Sequence, residues 1–403
     1  LLLLQLLLPN MKKLLFTVLI ITSVLKTSVF AEIKIGIILD FSGPIKSLTP
    51  VMVESAEIAF KEASESGSLL DGETIKVVRA DSTCKDSSAA NDAAKEIISH
   101  GVKAIIGGVC SEVTETILSG SAVPNEILMI SPAAASASLT SLDDKGFFFS
   151  TTPSLARGVQ ILADITKDRR VKKVAITYTN NDYGKNLAKA YKAAVESHGL
   201  EVTIIASHED DKEDYSSEVA SLASAGGEAV AIVGNPDNGG RGIIQASIDS
   251  GAFDKFILSD RMIDQSLLDE FSNKLKKSFG YVPGSSGKRA GFFDRVAKEG
   301  GIDISFPYTG ESYDAAALIV LAIQAGGSAD SISMSKIIMD VANEPGTKIY
   351  PGEIKKGLDL LSKGKKINYE GATGVSFNEL GEAKGSFLEL EIKNRKFKAK
   401  KQR

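Results

Sequence analysis

The chain has 403 residues, 43% hydrophobic and 24% charged, which suits two globular domains of ordinary size. Its formal net charge of -4 excludes a global basic field that would draw it to nucleic acid or anionic lipid. With 6% aromatic residues and no Trp, base-stacking platforms are excluded as its main theme.

Residues 1–10 precede Met11 and are read as an upstream extension outside the fold. Met11-Lys12-Lys13, the apolar run Leu14 to Leu25 and the small residues of Val29-Phe30-Ala31 make residues 11–31 a secretory signal peptide, with Glu32 first in the mature chain. The apolar run is short for a membrane span, and no Cys follows it for a lipid anchor. No later run reaches the length of a transmembrane helix, so the mature chain is expected to be soluble.

From Ile33 to Asp40 the pattern is a buried strand, and Val51 to Ser66 is a helix with Val53, Ala56, Ala59, Phe60 and Ala63 on one face. Strands follow at Ile75 to Ala80, Ala104 to Ile106 and Ile127 to Ile130. They alternate with helices at Ser87 to His100 and Ser111 to Ser119. This is the βαβ rhythm of a parallel sheet covered by helices on both faces. After Phe147-Phe148-Phe149 and Thr151-Thr152-Pro153 the rhythm restarts. Strands are read at Val174 to Tyr178, Val202 to Ala206, Ala229 to Val233 and Phe256 to Leu258. Helices lie between them at Ser154 to Lys167, around Leu187 to Val195, at Ser216 to Ala225 and at Gly239 to Ser250. Beyond Tyr281-Val282-Pro283-Gly284 the pattern is helical at Ala290 to Lys298, Tyr313 to Gln324, Met334 to Ala342 and Ile354 to Leu361. Phe387 to Ile392 alternates like a strand, and the basic Lys398 to Arg403 is read as a solvated tail.

Cys84 and Cys110 are the only cysteines, and an even pair in an exported protein points to a disulfide, with two buried thiols as the alternative. There is no CxxC, and His100, His198 and His208 stand apart, so no metal or other cofactor is expected. The chain has no GxSxG elbow, Walker A loop, GxGxxG or HExxH, so it is not read as an enzyme. Doubly wound sheets bind ligands beyond the carboxyl ends of their strands. Ser111 follows one such end, where a ligand carboxylate would find a hydroxyl and backbone N–H donors, or where a plain N-cap would sit. Ser131 to Ser136, Asn181 to Gly184 and Gly234 to Gly240 occupy equivalent places. Asp260 ends another strand and would hold an ammonium or pair with Arg261 at the surface.

These segments together resemble the solute-binding proteins of branched-chain amino acid ABC transporters, the leucine/isoleucine/valine-binding type. The resemblance rests on Lys34-Ile35-Gly36, Ser42-Gly43-Pro44, Asp81 with Cys84, Ile106 to Ser111 and Met129-Ile130-Ser131-Pro132. It continues through Asp182-Tyr183-Gly184, Ser312 to Ala316 and Glu370 to Gly374. It implies an α/β protein of two doubly wound parallel-sheet lobes joined by a three-stranded hinge, crossing near 150–153, 281–285 and 380–386. The first lobe would take 32–150 and 283–382, and the second 151–282 and 383–403. It further implies the Cys84–Cys110 disulfide, a periplasmic monomer, a small-molecule ligand that is an amino acid, and a membrane permease as partner. By position, Ser111 and the Ala135 N–H would hold the ligand carboxylate, and the Ala133 carbonyl and Asp260 the ammonium. Tyr183 and Asn235 would form the second-lobe wall, and Leu48 and Tyr308 would approach the ligand side chain. Three residues depart from the family pattern. Ala135 lacks a hydroxyl, Asp260 stands for Glu, and Arg261 places a cation beside the side-chain pocket, where it would crowd leucine or recruit a polar or acidic side chain.

Overall fold

A computed structural model describes residues 32–237 and 239–403. The expected extension and signal peptide, and Asn238 of the 234–240 loop, lie outside the described residues. The strands are β1 (Glu32–Leu39), β2 (Thr74–Asp81), β3 (Ala104–Gly107), β4 (Leu128–Ser131), β5 (Phe148–Pro153), β6 (Lys173–Thr179), β7 (Glu201–His208) and β8 (Ala229–Val233). They continue with β9 (Phe256–Leu258), β10 (Phe279–Pro283), β11 (Thr347–Ile349), β12 (Ile367–Tyr369), β13 (Glu382–Ala383), β14 (Phe387–Lys393) and β15 (Lys396–Gln402). One sheet has the order β13-β5-β4-β3-β1-β2, and a second has β15-β14-β10-β9-β8-β6-β7. Each is the core sheet of one lobe.

The first sheet is parallel in its β1–β3, β3–β4, β4–β5 and β5–β13 pairings. Its central strands β3 and β4 are buried at every residue, as expected of strands covered on both faces. The helix Thr309–Gly326 closes one face and packs against the helix Thr49–Glu65. From Ala315 to Ile323 it is apolar all round and fully buried, so its hydrophobicity is that of a core helix. No single helix among the described residues is long and apolar enough to cross a membrane.

The second sheet departs from the parallel expectation at one edge. β10 pairs with β14, and β14 with β15, in antiparallel register. The run expected as a solvated tail is therefore the edge strand β15, although most of its side chains are exposed. Its alternation of lysine with Phe397 and Ala399 breaks where Lys400 and Lys401 follow one another at a register shift, and its charges oppose edge-to-edge pairing. β10, β11, β12 and β13 also went unread. β11, β12 and β13 have two or three residues and lack the continuous apolar run that marked β9, and Gly280 and Pro283 interrupt β10.

Two of the motifs are halves of local knots. The Asp40 carboxylate, just past β1, accepts from the Gly43 and Ile45 N–H groups (2.5 and 2.9 Å), and Asp81 at the end of β2 accepts from Phe41 and Thr83 (2.9 and 2.8 Å). Gly43 is needed for close approach, since a Cβ there would stand 2.0 Å from the Thr83 carbonyl oxygen. The Cys84–Cys110 disulfide, with Cα atoms 5.5 Å apart, ties this corner to the start of the helix Ser111–Ile117. Closing a loop of this size stabilises by about 3 kcal/mol in the chain-entropy account.

Chain crossings between the sheets enclose a buried acid. A cavity of about 130 Å³ is lined by Pro283, Gly284, Leu388, Phe293, Tyr308 and Glu311. The Glu311 Oε1 has no hydrogen-bond partner among the described residues, and burial pushes its carboxyl up to about 8, with nearby Asp314 adding to the rise. The folded chain thus keeps a proton that the unfolded chain releases in the ordinary Glu range. This contribution to stability is full below that range and is lost as pH rises through about 8. Glu311→Gln should flatten the decline. Urea titrations from about pH 5 to 8 should give wild type a slope steeper than the variant's by up to about 1.4 kcal/mol per pH unit. Parallel curves would mean that Glu311 is ionised in the fold.

Candidate functional site

Loops at the carboxyl ends of β3, β8 and β9 meet residues of the opposite lobe. From the first lobe, Ser111 follows β3 and the disulfide. Its Oγ is buried without a hydrogen-bond partner among the described residues. After β4, the Ser131 Oγ donates to the Gly108 carbonyl (2.6 Å) and accepts from the Ala133 and Ala134 N–H groups (3.2 and 2.8 Å). That single hydroxyl shapes the small-residue turn holding Ala133 and Ala135, both buried. The Ala135 carbonyl accepts from the Leu155 N–H at 3.2 Å. Leu48 is fully buried within the first lobe's core, just before the helix Thr49–Glu65. Tyr308 stands at positive φ (64°) before the helix Thr309–Gly326.

From the second lobe, the Asn181 side chain caps the helix Asp182–Ser197 by accepting from the Gly184 N–H (2.9 Å), which sets Tyr183 in the first turn. Asn235 follows β8. Its Nδ2 donates to Asp210 (2.9 Å) and its Oδ1 is unpartnered among the described residues. Asp260 and Arg261 follow β9 in a single 3-10 turn, each 2% exposed. The Asp260 carboxylate accepts from the Tyr183 hydroxyl of its own lobe (3.0 Å) and from the Tyr308 hydroxyl of the other (2.6 Å). Burial, with the Asp260 charge beside them, pushes both phenols up, so both remain protonated donors at neutral pH.

Arg261 does not make the surface pair with Asp260 offered by sequence as the alternative. Its guanidinium lies 3.7 Å from the Tyr183 ring centroid and reaches across the cleft. There Nη2 donates to the Val109 carbonyl (3.2 Å), Nη1 approaches the Cys110 Sγ (3.6 Å), and Nε has no partner among the described residues. Ser111 is the next residue along. Tyr308, Tyr183, Asp260 and Arg261 are thereby gathered at one junction of the lobes, next to the start of the helix Ser111–Ile117, while Asn235 is held by Asp210 and Leu48 lies in the first lobe's core.

Three contacts missed in the sequence also bridge the gap. The Ser47 N–H donates to the Asp237 Oδ2 (3.1 Å), and its hydroxyl donates to the Asp264 Oδ2 (2.8 Å). Lys85 pairs with Asp211 at 2.9 Å near the rim. Their only signal in the sequence was position, since each lies in a loop just after a strand or its turn.

Comparison with known proteins bears on this arrangement directly. The family model for periplasmic binding proteins matches residues 32–340.

The chain belongs to the periplasmic binding protein family.

Its relatives in sequence include leucine/isoleucine/valine-binding proteins, and its two lobes share the type I fold of solved solute-binding proteins. It is 29% identical over 215 residues to a Leu/Ile/Val-binding protein homolog of Brucella melitensis. That match covers 53% of this chain and 57% of the relative, so the chain spans little more than half the length of that protein. Two solved structures share its fold. The branched-chain amino acid transporter substrate-binding protein of Streptococcus pneumoniae, in complex with isoleucine, is 17% identical with a TM-score of 0.75, covering 93% of this chain and 99% of that one. A solute-binding protein of an ABC transporter from R. palustris, in complex with 4-hydroxybenzoate, is also 17% identical with a TM-score of 0.75, covering 93% and 97%.

Proposed function

We propose that this periplasmic binding protein captures a free α-amino acid between its lobes and presents it to the membrane permease of an ABC transporter, without catalysis. The observation that carries the reading is the buried Asp260 carboxylate, held by hydroxyls from both lobes, with the unpartnered Ser111 hydroxyl next to the same junction. An ammonium would cancel the Asp260 charge, and the ligand carboxylate would take Ser111 and the Ala135 N–H. The Ala133 carbonyl would add an acceptor for the ammonium, with Tyr183, Asn235, Leu48 and Tyr308 as the surrounding wall.

In this reading the crossings at 150–153, 281–285 and 380–386 act as the hinge, with the lobes bounded at 32–150 and 283–382, and at 151–282 and 383–403. Ligand affinity for the closed form would drive closure. Ser47 to Asp237 and Asp264 would act as a latch that forms only then. The protein would work as a monomer in the periplasm.

A second reading is favoured by the R. palustris neighbour, whose ligand is an aromatic acid. Asp260 weighs against it, since an acid without an ammonium would bring a second negative charge towards a buried carboxylate. A thermal-shift screen of the amino acids, amides, sugars, urea and aromatic acids decides between them. At 100-fold excess over Kd a ligand stabilises by about 2.7 kcal/mol. Amino acids should raise Tm; stabilisation only by sugars, urea or 4-hydroxybenzoate defeats the amino-acid reading.

A further inference from the structure

We propose that Arg261 makes this cleft selective for an α-amino acid with an acidic side chain, of the aspartate or glutamate kind, over a branched-chain one. The proposal rests on the amino-acid reading above and adds the ligand's side-chain class.

The argument is one of charge. Arg261 is 2% exposed, and its partners among the described residues are a carbonyl, a sulfur and an aromatic ring. None carries a negative charge. The adjacent Asp260 is turned to two tyrosine hydroxyls and makes no ion pair with it. A guanidinium out of water is costly unless an anion meets it with good geometry. The fork of Nε and Nη atoms suits a carboxylate, and Nε stands unpartnered.

A zwitterionic ligand leaves this cation uncompensated once its ends are placed. The ammonium goes to Asp260, and the α-carboxylate goes to the neutral donors Ser111 and Ala135. Arg261 then lies against whatever the side chain is. A leucine side chain would set hydrocarbon against a buried cation and offer no counter-charge. A side-chain carboxylate would pair with Nε and the neighbouring Nη. Stacking on Tyr183 holds the guanidinium plane fixed, so little conformational freedom is lost when the pair forms. Val109 and Cys110 are pinned by the disulfide to Cys84, so the opposite wall is equally fixed.

Calorimetric titrations of the full mature chain with L-glutamate, L-aspartate and L-leucine test this, in wild type, Arg261→Gln, Arg261→Ala and Arg261→Lys. At least one of the two acidic amino acids should bind wild type about 100-fold or more tightly than L-leucine. Arg261→Gln and Arg261→Ala should lose that preference, and Arg261→Ala should gain affinity for L-leucine as the cation and its bulk are removed. Arg261→Lys should retain a reduced preference, which a purely structural role would not produce. Equal or tighter binding of L-leucine by wild type overturns the proposal and leaves the amino-acid reading standing. So does a preference for the acidic ligands that survives in a folded Arg261→Gln. Binding of none of the amino acids, with 4-hydroxybenzoate bound instead, overturns both.

Discussion

Asp260→Ala should weaken binding of an α-amino acid by about 100-fold or more while leaving the fold intact. In the amino-acid reading the carboxylate is the single charged acceptor for the ammonium. Removing one partner of a buried, hydrogen-bonded charge pair costs about 2–5 kcal/mol, because the other is left uncompensated. The loss reaches both lobes. Tyr183 and Tyr308 each give their hydroxyl to Asp260, and both are buried, so alanine also strands two donors at the junction. Each stranded donor costs about 1–3 kcal/mol, paid mainly in the closed form where the two come together. Asp260 stands in the turn after β9, outside both sheets, so circular dichroism and the urea m-value should match wild type. Asp260→Asn keeps an acceptor for one tyrosine while losing the charge and the second acceptor, and should fall between wild type and Asp260→Ala. Glutarate separates the causes, since it has two carboxylates and no ammonium. If Asp260 serves the ammonium, its removal should leave glutarate binding unchanged or tighter. An equal loss for L-glutamate and glutarate would instead assign Asp260 a role in closure alone, and unchanged L-glutamate affinity would remove it from the site.

The fold was legible because buried parallel strands and one-faced helices announce themselves. Ala229–Val233 and Gly239–Ser250 lie where their patterns place them, to the residue. What was hidden had little side-chain signal. β13 has two residues and exists through backbone pairing with β5, and β15 carries lysines where a buried strand would carry apolar groups. At the site, strand ends were a sound guide to place. Residues as far apart in the chain as Val109 and Tyr308 reach one junction because each follows a strand or opens a helix facing it. Direction was not legible. Sequence offered Arg261 a partner one residue away, yet a 3-10 turn points the two side chains apart, Asp260 to the tyrosines and Arg261 to Val109 and Cys110. Ser47 carried no signal beyond its position and Glu311 none, because their meaning lies in what the other lobe or the crossing strands bring to them.

The largest loss of stability is expected from Asp314→Ala, at about 3 kcal/mol or more. The motifs Ser312 to Ala316 and Glu370 to Gly374 looked independent in the sequence, yet Asp314 joins them. Its Oδ1 accepts from the Tyr369 hydroxyl (2.8 Å) and the Ala372 N–H (2.7 Å), and its Oδ2 accepts from the Thr373 N–H (2.9 Å) and hydroxyl (2.7 Å). Burial pushes this carboxyl up, and the four donors oppose the rise. Gly371 serves the same knot. It sits at φ 58°, and a Cβ there would stand 2.6 Å from Asp314. Alanine at 314 strands four donors inside a core that admits no replacement partner, so the cost is that of desolvated groups and not of four exchangeable hydrogen bonds. Thr373→Val removes one donor and leaves the carboxylate three, and should cost about 1 kcal/mol. Urea denaturation of both variants supplies the measurement, and hydrogen exchange at the Ala372 and Thr373 amides should rise in Asp314→Ala before any other part of the lobe opens. An Asp314→Ala protein within 1 kcal/mol of wild type, with those amides still protected, would show that the loop is held by its own backbone. The knot would then be a consequence of the packing of the helix Thr309–Gly326, and the pairing of the two motifs would have no role in stability.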